Sequence, residues 1–411
     1  MIRMRILGCV VAVGAASVLA VPPATAAGEP AWIRQFGTAG EDGLSGITVD
    51  GAGNIYLAGA TTGALAAANI GSTDAWVAKY NAAGTMLWKR QIGTKQQDRA
   101  TGISFNGGYI YIVGATYGSL GGSSAGSSDL WVVKYDLSGR LIWKRQRGSA
   151  KFDAATGVAA ANGAVYVSGR TDRGVPGGAG DQSDGWVVKF DAAGRFLWDR
   201  QTGTRAGARG VALDNKGNVF LTGIQPYDFD YDNAWLVKFG PAGALQWRRK
   251  IGSIGYNEVE AIATSGTNVY LAGSSKRIGT AWVMRLDSSG QQLWEQAVGT
   301  EAQENGFAIA TDKIGNIYSA GQTWGDFAGA AQGDGDAWVA KYNPSGDMLW
   351  ARHLGSAGTD LAASVAVLPG IVYVAGTTTG SLGATNRGIN DVWLAKYTIS
   401  PGRDLGTPDL R

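Results

Sequence analysis

The sequence is poor in the residues that carry most enzyme chemistry. Its 411 residues include one cysteine, Cys9, and one histidine, His353. A lone cysteine offers no disulfide framework and no zinc–thiolate site. A lone histidine excludes a histidine-built metal centre, and a Ser-His-Asp mechanism would need it in a cleft. His353 instead follows Trp350 at the place where Gln91, Gln146 and Gln201 stand in related segments, which reads as a surface strand residue. Proline is scarce, at 10 residues, and only 17% of the chain is charged. Long apolar runs are lacking everywhere except near the N-terminus, and none approaches the roughly twenty residues of a membrane span.

The N-terminal run has the organisation of a leader. Met1-Ile2-Arg3-Met4-Arg5 precedes an apolar stretch from Ile6 to Val21 and small residues at Ala24-Thr25-Ala26-Ala27. This is the pattern of a secretory signal peptide, expected over residues 1–26. The mature chain is then soluble, monomeric, and secreted or cell-surface associated. Ile6-Leu7-Gly8-Cys9 superficially resembles a lipoprotein box, but the apolar region follows Cys9 instead of preceding it. Removing Arg3 and Arg5 with the leader leaves 34 basic against 33 acidic residues, a balance that does not suggest nucleic acid or an anionic membrane as partner.

What is abundant is glycine, 64 residues spread without a Gly-X-Y period, and repetition. Trp76, Trp131, Trp186, Trp235, Trp282, Trp338 and Trp393 recur 47 to 56 residues apart, each opening a Trp-hydrophobic-x-Lys/Arg segment. Twelve residues after the first six come Trp88, Trp143, Trp198, Trp247, Trp294 and Trp350. The seventh unit lacks this second tryptophan, and its counterpart is at the beginning, in Trp32-Ile33-Arg34-Gln35. A chain whose first strand completes its last unit closes into a ring. Each unit reads as four short strands, illustrated by Gly46–Asp50, Asn54–Gly59, Trp76–Tyr80 and the strand of Trp88, with Asn81-Ala82-Ala83-Gly84 as a hairpin turn. The expectation is an all-β, seven-bladed β-propeller over residues 27–397, followed by a flexible tail, 398–411.

The units Trp-Val-Ala-Lys-Tyr-Asn-x-x-Gly-x-x-Leu-Trp and Asp-x-x-Gly-Asn-Ile-Tyr-Leu-Ala-Gly-x-Thr resemble SBBP-type bacterial β-propeller repeats over about residues 31–397. The resemblance implies a seven-bladed propeller in an extracellular or cell-surface setting, and it implies no common reaction. Asp136-Leu137-Ser138-Gly139-Arg140-Leu141-Ile142-Trp143 is also similar to the tryptophan docking motif of quinoprotein propellers. Likeness of fold transfers no cofactor, and none is expected.

Repeated residues are scaffold, so a site must be sought among the others. Fourteen of fifteen tryptophans fill the two repeat positions and read as blade-to-blade core. Lys79, Lys134, Lys189, Lys238, Lys341 and Lys396 are scaffold by the same reasoning. So are Arg34, Arg90, Arg145, Arg200, Arg249 and Arg352, whose charge on an outermost strand discourages edge pairing. Trp324, Tyr117, Tyr227, Tyr231 and Tyr256 remain. They lie in connections between second and third strands or between blades, which emerge on one face, and they either contact ligand or pin long loops. Asp42, Asp98, Asp153, Asn257, Glu304 and Asp360 recur at the entry to the first strand; unit four has no counterpart. They either ring one end of the channel, binding a cation or polyhydroxylated ligand, or cap their own loops. Asp228, Asp230 and Asp232 alternate in a loop and could converge on Ca²⁺, although Asn233 and Phe239 replace the glycine and glutamate of an EF-hand.

The reading is an extracellular binding or protein-interaction module, with a glycan or surface protein as partner. Two alternatives stand beside it: a carbohydrate-active enzyme using loop carboxylates, and a purely structural surface component.

Overall fold

A computed structural model describes residues 29–173, 183–225, 233–251, 257–275, 279–300 and 302–399. They form 28 strands in seven four-stranded antiparallel sheets. Blade 1 runs Asp42–Val49, Ile55–Thr61, Asp74–Tyr80, Met86–Ile92, each strand pairing with the next. Blades 2 to 6 repeat this order from Asp98, Asp153, Ala208, Asn257 and Glu304. Blade 7 takes Asp360–Leu368, Ile371–Thr378 and Asp391–Thr398 from the end of the chain and Trp32–Phe36 from its start, with Gln35 opposite Trp393. The ring therefore closes as the unpaired tryptophan of the first strand implies. Among the described residues no helix is long and apolar enough to cross a membrane.

The two middle strands of each blade lack the alternation of a half-buried strand because neighbouring blades cover both faces. Asp74–Tyr80 is buried at every position, whereas Leu141–Arg147 on the rim is largely exposed. Each apolar cluster spans a blade boundary: one joins Trp76 and Tyr80 of blade 1 to Tyr373, Val392 and Leu394 of blade 7. The third-strand tryptophans fill these boundaries, from Trp393 with no exposed surface to Trp235 at 4%. Opposite each stands a second-strand glycine, as in Gly59 against Trp76 and Gly114 against Trp131. At Gly59 a β-carbon would strike both the Trp76 ring and the Gly43 carbonyl. This explains the recurring Ala-Gly-x-Thr.

The second tryptophan belongs to a clamp between blades. Trp88 Nε1 donates to the Leu137 carbonyl in the outer hairpin of blade 2 (3.1 Å), and Lys79 Nζ donates to the same oxygen (3.0 Å). Arg90 Nε donates to Gly139 O (3.1 Å) while its guanidinium lies 5.5 Å from the Trp88 ring centroid. The arrangement recurs with Trp143, Lys134 and Arg145 on Ala192 and Gly194. Across the closure, Arg34 binds Gly84 O and Lys396 binds Ala82 O. The hairpin glycine must adopt positive φ, +77° at Gly84 and +79° at Gly139, and its bare Cα receives the tryptophan of the preceding blade. The arginines thus do more than keep edges apart, because Arg34, Arg90, Arg145 and Arg200 each satisfy a carbonyl of the next blade.

Replacing Trp186 by Ala should cost about 3–5 kcal/mol of stability, the usual range for a buried large aromatic. Trp324→Ala, at a half-exposed position, should change stability by about 0.5 kcal/mol or less. Denaturant unfolding of both variants checks this; equal losses would contradict the division between core and loop tryptophans.

Candidate functional site

Two classes of connection share one face of the ring. Short parallel bridges tie the end of each long second-to-third-strand loop to the next inter-blade connection: Thr73 with Gln97, Ser128 with Phe152, Gly335 with Thr359 and, across the closure, Asn390 with Glu41. One residue beyond the second strand, in five of the blades, the backbone amide bonds to the inter-blade connection. Thr62, Tyr117, Asp172, Trp324 and Thr379 occupy this equivalent position, with N–H groups donating to Glu41, Gln97, Phe152, Gln303 and Thr359. The scaffold around the position repeats, but its side chain varies, being threonine on blades 1 and 7 and tyrosine, aspartate and tryptophan on blades 2, 3 and 6.

Tyr117 is 44% exposed and Trp324 43%. Tyr117 meets Phe152 edge-on at 6.5 Å, and Arg170 lies over Phe152 while gripping both oxygens of Asp172 at 2.9 and 3.1 Å. An aromatic and ion-paired patch therefore covers blades 2 and 3. Trp324 stands on blade 6, three blades away by the shorter path. The structure does not gather the two aromatics around one small pocket, and a ligand touching both must span the channel mouth. Tyr227, Tyr231 and Tyr256 lie outside the described residues, as do Asp228, Asp230 and Asp232 with the Ca²⁺ expectation attached to them.

The repeated acids lie at the beginnings of the first strands, and Asp42, Asp98, Asp153, Glu304 and Asp360 have no exposed surface. Each holds its own loop. Asp98 accepts the Thr94 amide and hydroxyl, Asp153 those of Ser149, and Asp360 those of Ser356. Asp42 accepts the Thr38 hydroxyl at 2.8 Å and that of Thr61. Loop capping of this kind needs a carboxylate four residues beyond a Ser or Thr. Asn257 begins the corresponding strand of blade 5.

A second acid series opens the third strands. Asp74 accepts from Ile70 N and Gln91 Nε2 (3.0 and 2.9 Å), Asp129 from Ala125 N and Gln146 Nε2 (2.8 and 2.7 Å). In blade 6 the glutamine is replaced by His353, whose Nε2 lies 2.8 Å from Asp336 Oδ2 with its side chain only 5% exposed. His353 is therefore not a surface residue. It takes the buried structural position of the glutamines, which an outer-strand reading could not reveal.

The two series are coupled at blade junctions. Carboxylates of Asp74, Asp129, Asp336 and Asp391 fill the space above Gly93, Gly148, Gly355 and Gly37. In blade 5 the third strand opens with Thr280, too short to do so, and Glu304 from blade 6 fills the space above Gly299. The added methylene of Glu304 compensates for the missing aspartate.

The channel itself is lined by residues three positions beyond the acids. Every innermost strand carries a β-bulge at the same register, between Leu44 and Gly46, Ala100 and Gly102, Ala155 and Gly157, Ala208 and Gly210, Val259 and Ala261, Gly306 and Ala308, and Ala362 and Ser364. A bulge re-aims the extra side chain. The extra residues are Ser45, Thr101, Thr156, Arg209, Glu260, Phe307 and Ala363, one per blade. Five of them line a cavity of about 210 Å³ on the axis; Arg209 and Glu260 immediately precede its lining residues Gly210 and Ala261. In the sequence these positions are marked only by varying among units within a repeated frame.

With this geometry the chain is defined as a seven-bladed β-propeller. The SBBP beta-propeller repeat model matches it at residues 31–65 and 295–328. The regulatory protein FlaEY of Caulobacter vibrioides is 31% identical over 136 residues, covering 30% of this chain and 14% of that protein, so the chain spans a small part of that relative. Among solved structures it is similar to catalytically inactive virginiamycin B lyase from Staphylococcus aureus with quinupristin (9% identity, 89% and 99% of the two chains, TM-score 0.56). It is also similar to hydrazine synthase of Kuenenia stuttgartiensis (11%, 81% and 92%, TM-score 0.54). YCF48 bound to D1 peptide aligns at 10% identity over 94% and 100% of the chains, with TM-score 0.50. At such identities these likenesses show the fold alone.

The junction coupling predicts a compensating pair. Thr280→Asp should crowd Glu304, Glu304→Asp should leave Gly299 uncovered, and each should lower thermal stability. The double variant should recover most of the loss, giving a favourable coupling of about 0.5–3 kcal/mol in a double-mutant cycle. Strictly additive losses would refute the compensation.

Burial raises the carboxyl pKa of Asp360, with Asp336 adding repulsion against the lowering hydrogen bonds from Thr378 and Ser356; burial likewise raises that of Glu304. For these groups the folded state holds its proton more tightly than the unfolded state. Their contribution to stability therefore falls as pH rises from about 4 through the raised value. Unfolding free energies of Asp360→Asn and the parent, measured across that window, should differ in slope, the parent losing more as pH rises.

Proposed function

We propose that this chain is an extracellular binding or protein-interaction module that engages a glycan through the face bearing its long loops. The observation that carries the reading is the variable position at Thr62, Tyr117, Asp172, Trp324 and Thr379, where an otherwise repeated frame presents different side chains, two of them half-exposed large aromatics. Aromatic faces stack on the C–H surfaces of sugars, and the Arg170–Asp172 pair offers both donors and acceptors to hydroxyls. The leader-like N-terminus supports an extracellular setting. YCF48, a propeller of similar fold, is bound to a peptide, which makes a protein partner the main competing occupant of such a face.

The loop acids support binding over carboxylate catalysis. One oxygen of each of Asp98, Asp153 and Asp360 is taken up by a loop amide and hydroxyl and the carboxylates have no exposed surface, whereas glycoside hydrolysis needs two acids facing the substrate.

A glycan array with the mature protein, run with and without Ca²⁺, should return oligosaccharide hits. Trp324→Ala and Tyr117→Ala should each weaken a hit about tenfold, the equivalent of about 1.4 kcal/mol, without loss of fold. Undiminished binding in both variants, with loss from substitutions at the Gly84 or Gly139 hairpins, would move the site to the opposite face.

A further inference from the structure

The bulge ring supplies a site that the loop face does not. Its seven side chains fall into three arcs. Ser45, Thr101 and Thr156 form a hydroxyl arc on blades 1 to 3. Ser45 Oγ donates to Ala100 O (2.7 Å) and Thr101 Oγ1 to Ala155 O (2.9 Å), each reaching the neighbouring blade; Thr156 Oγ1 lies 3.2 Å from Ser168 Oγ. With the Ser45 and Thr101 protons committed to carbonyls, these oxygens keep lone pairs for an incoming donor. Arg209 and Glu260, 3.6 Å apart, form a charged arc on blades 4 and 5, the arginine side chain half exposed. Phe307 and Ala363 form an apolar arc on blades 6 and 7, both lining the cavity.

The scaffold does not account for this distribution. Core residues repeat from blade to blade, yet the bulge register holds seven side chains of five chemical kinds, five of them lining one cavity and Arg209 and Glu260 adjoining it. The cavity, about 210 Å³, is smaller than drug-sized pockets, which run from roughly 300 Å³ upward. It admits a small molecule or the end of a larger one. An occupant matched to the three arcs has an apolar face for Phe307, hydroxyl donors for the Ser45, Thr101 and Thr156 oxygens, and mixed hydrogen-bonding groups for the neutral-in-sum Arg209–Glu260 pair. An uncharged pyranose ring has this layout, with a C–H face and hydroxyl edges.

The geometry points to the axial cavity as a subsite for a single neutral pyranose unit, the terminal sugar of a glycan whose remaining units cross the loop face. The inference rests on the glycan-binding reading above and adds to it the size, charge and seat of the ligand's end. Phe307 is the stacking residue, and the Arg209–Glu260 pair fixes orientation by taking adjacent hydroxyls.

The test uses the mature full chain and four probes: the methyl glycosides of glucose, galactose, mannose and N-acetylglucosamine, examined by saturation-transfer NMR and titration. At least one should bind, with ring C–H protons most strongly saturated. Phe307→Ala and Glu260→Gln should weaken it at least tenfold, and Ala363→Phe, which fills the cavity, should abolish binding. Circular dichroism and thermal unfolding establish that each variant is folded, and Phe307→Leu serves if Phe307→Ala is not. Trp324→Ala should leave monosaccharide binding within twofold while weakening an array-derived oligosaccharide. Loss of monosaccharide binding in Trp324→Ala with retention in the three cavity variants would overturn the subsite and leave the face reading intact. Absence of binding by all four glycosides would overturn it as well, and the array then decides the face reading independently.

Discussion

The structure depends on one contact between successive blades: the hold of an outer-strand tryptophan, with its lysine and arginine, on the outer hairpin of the next blade, complete at Trp88 and Trp143. A four-stranded sheet alone leaves two apolar faces uncovered and an outer edge unpaired. Stacking buries the faces, but apolar contact is non-directional and would not fix the angle between blades. The hairpin carbonyls of Leu137 and Gly139 are fixed acceptors, and Trp88, Lys79 and Arg90 reach them from three directions. Such directional contacts fix how one blade sits on the next wherever the outer hairpin exists; blade 7, built from both ends of the chain, has none and is closed by strand pairing instead.

With the rotation fixed, the interior follows. The third-strand tryptophans occupy blade boundaries of constant width, and the glycines opposite them are the only residues that leave room for both ring and carbonyl. Innermost strands converge on the axis, where Gly102 and Gly157 let neighbouring backbones approach closely, and the bulge before each glycine diverts one side chain to the cavity. The acids at the strand entrances are part of this framework. They hold their loops from positions with no exposed surface.

What was legible in the sequence was whatever the fold repeats. The blades, the tryptophan pairs and the closure by Trp32–Phe36 could be read because a boundary of constant width asks the same side chain of every unit. The bulge ring could not be read in the same way, because an inserted residue changes which side chain faces the axis without a compositional mark of its own. Ser45 and Phe307 look unrelated until the register with the second strand is known. His353 misled for a similar reason: outer strands are polar, and burial beneath the long loop of its own blade depends on loop geometry that periodicity does not report. Glu304 is intelligible only beside Thr280, two blade positions that no single-unit reading compares. The single-tryptophan departure at Trp324 was legible as a departure, but its distance from Tyr117 around the ring was not.

The closure by Trp32–Phe36 also imposes an order of events. The partner of this strand, Asp391–Thr398, lies at the far end of the ring in chain order, and at roughly 5–20 residues per second it is synthesised tens of seconds after the first strand. During that interval blades 1 to 6 can assemble as an open arc, while the first strand and its tryptophan wait without a sheet to join. The ends of the arc expose strand edges that only each other's company protects. The pairing that completes the ring is therefore a latch of one strand, and it cannot form until the whole of the intervening chain has been made.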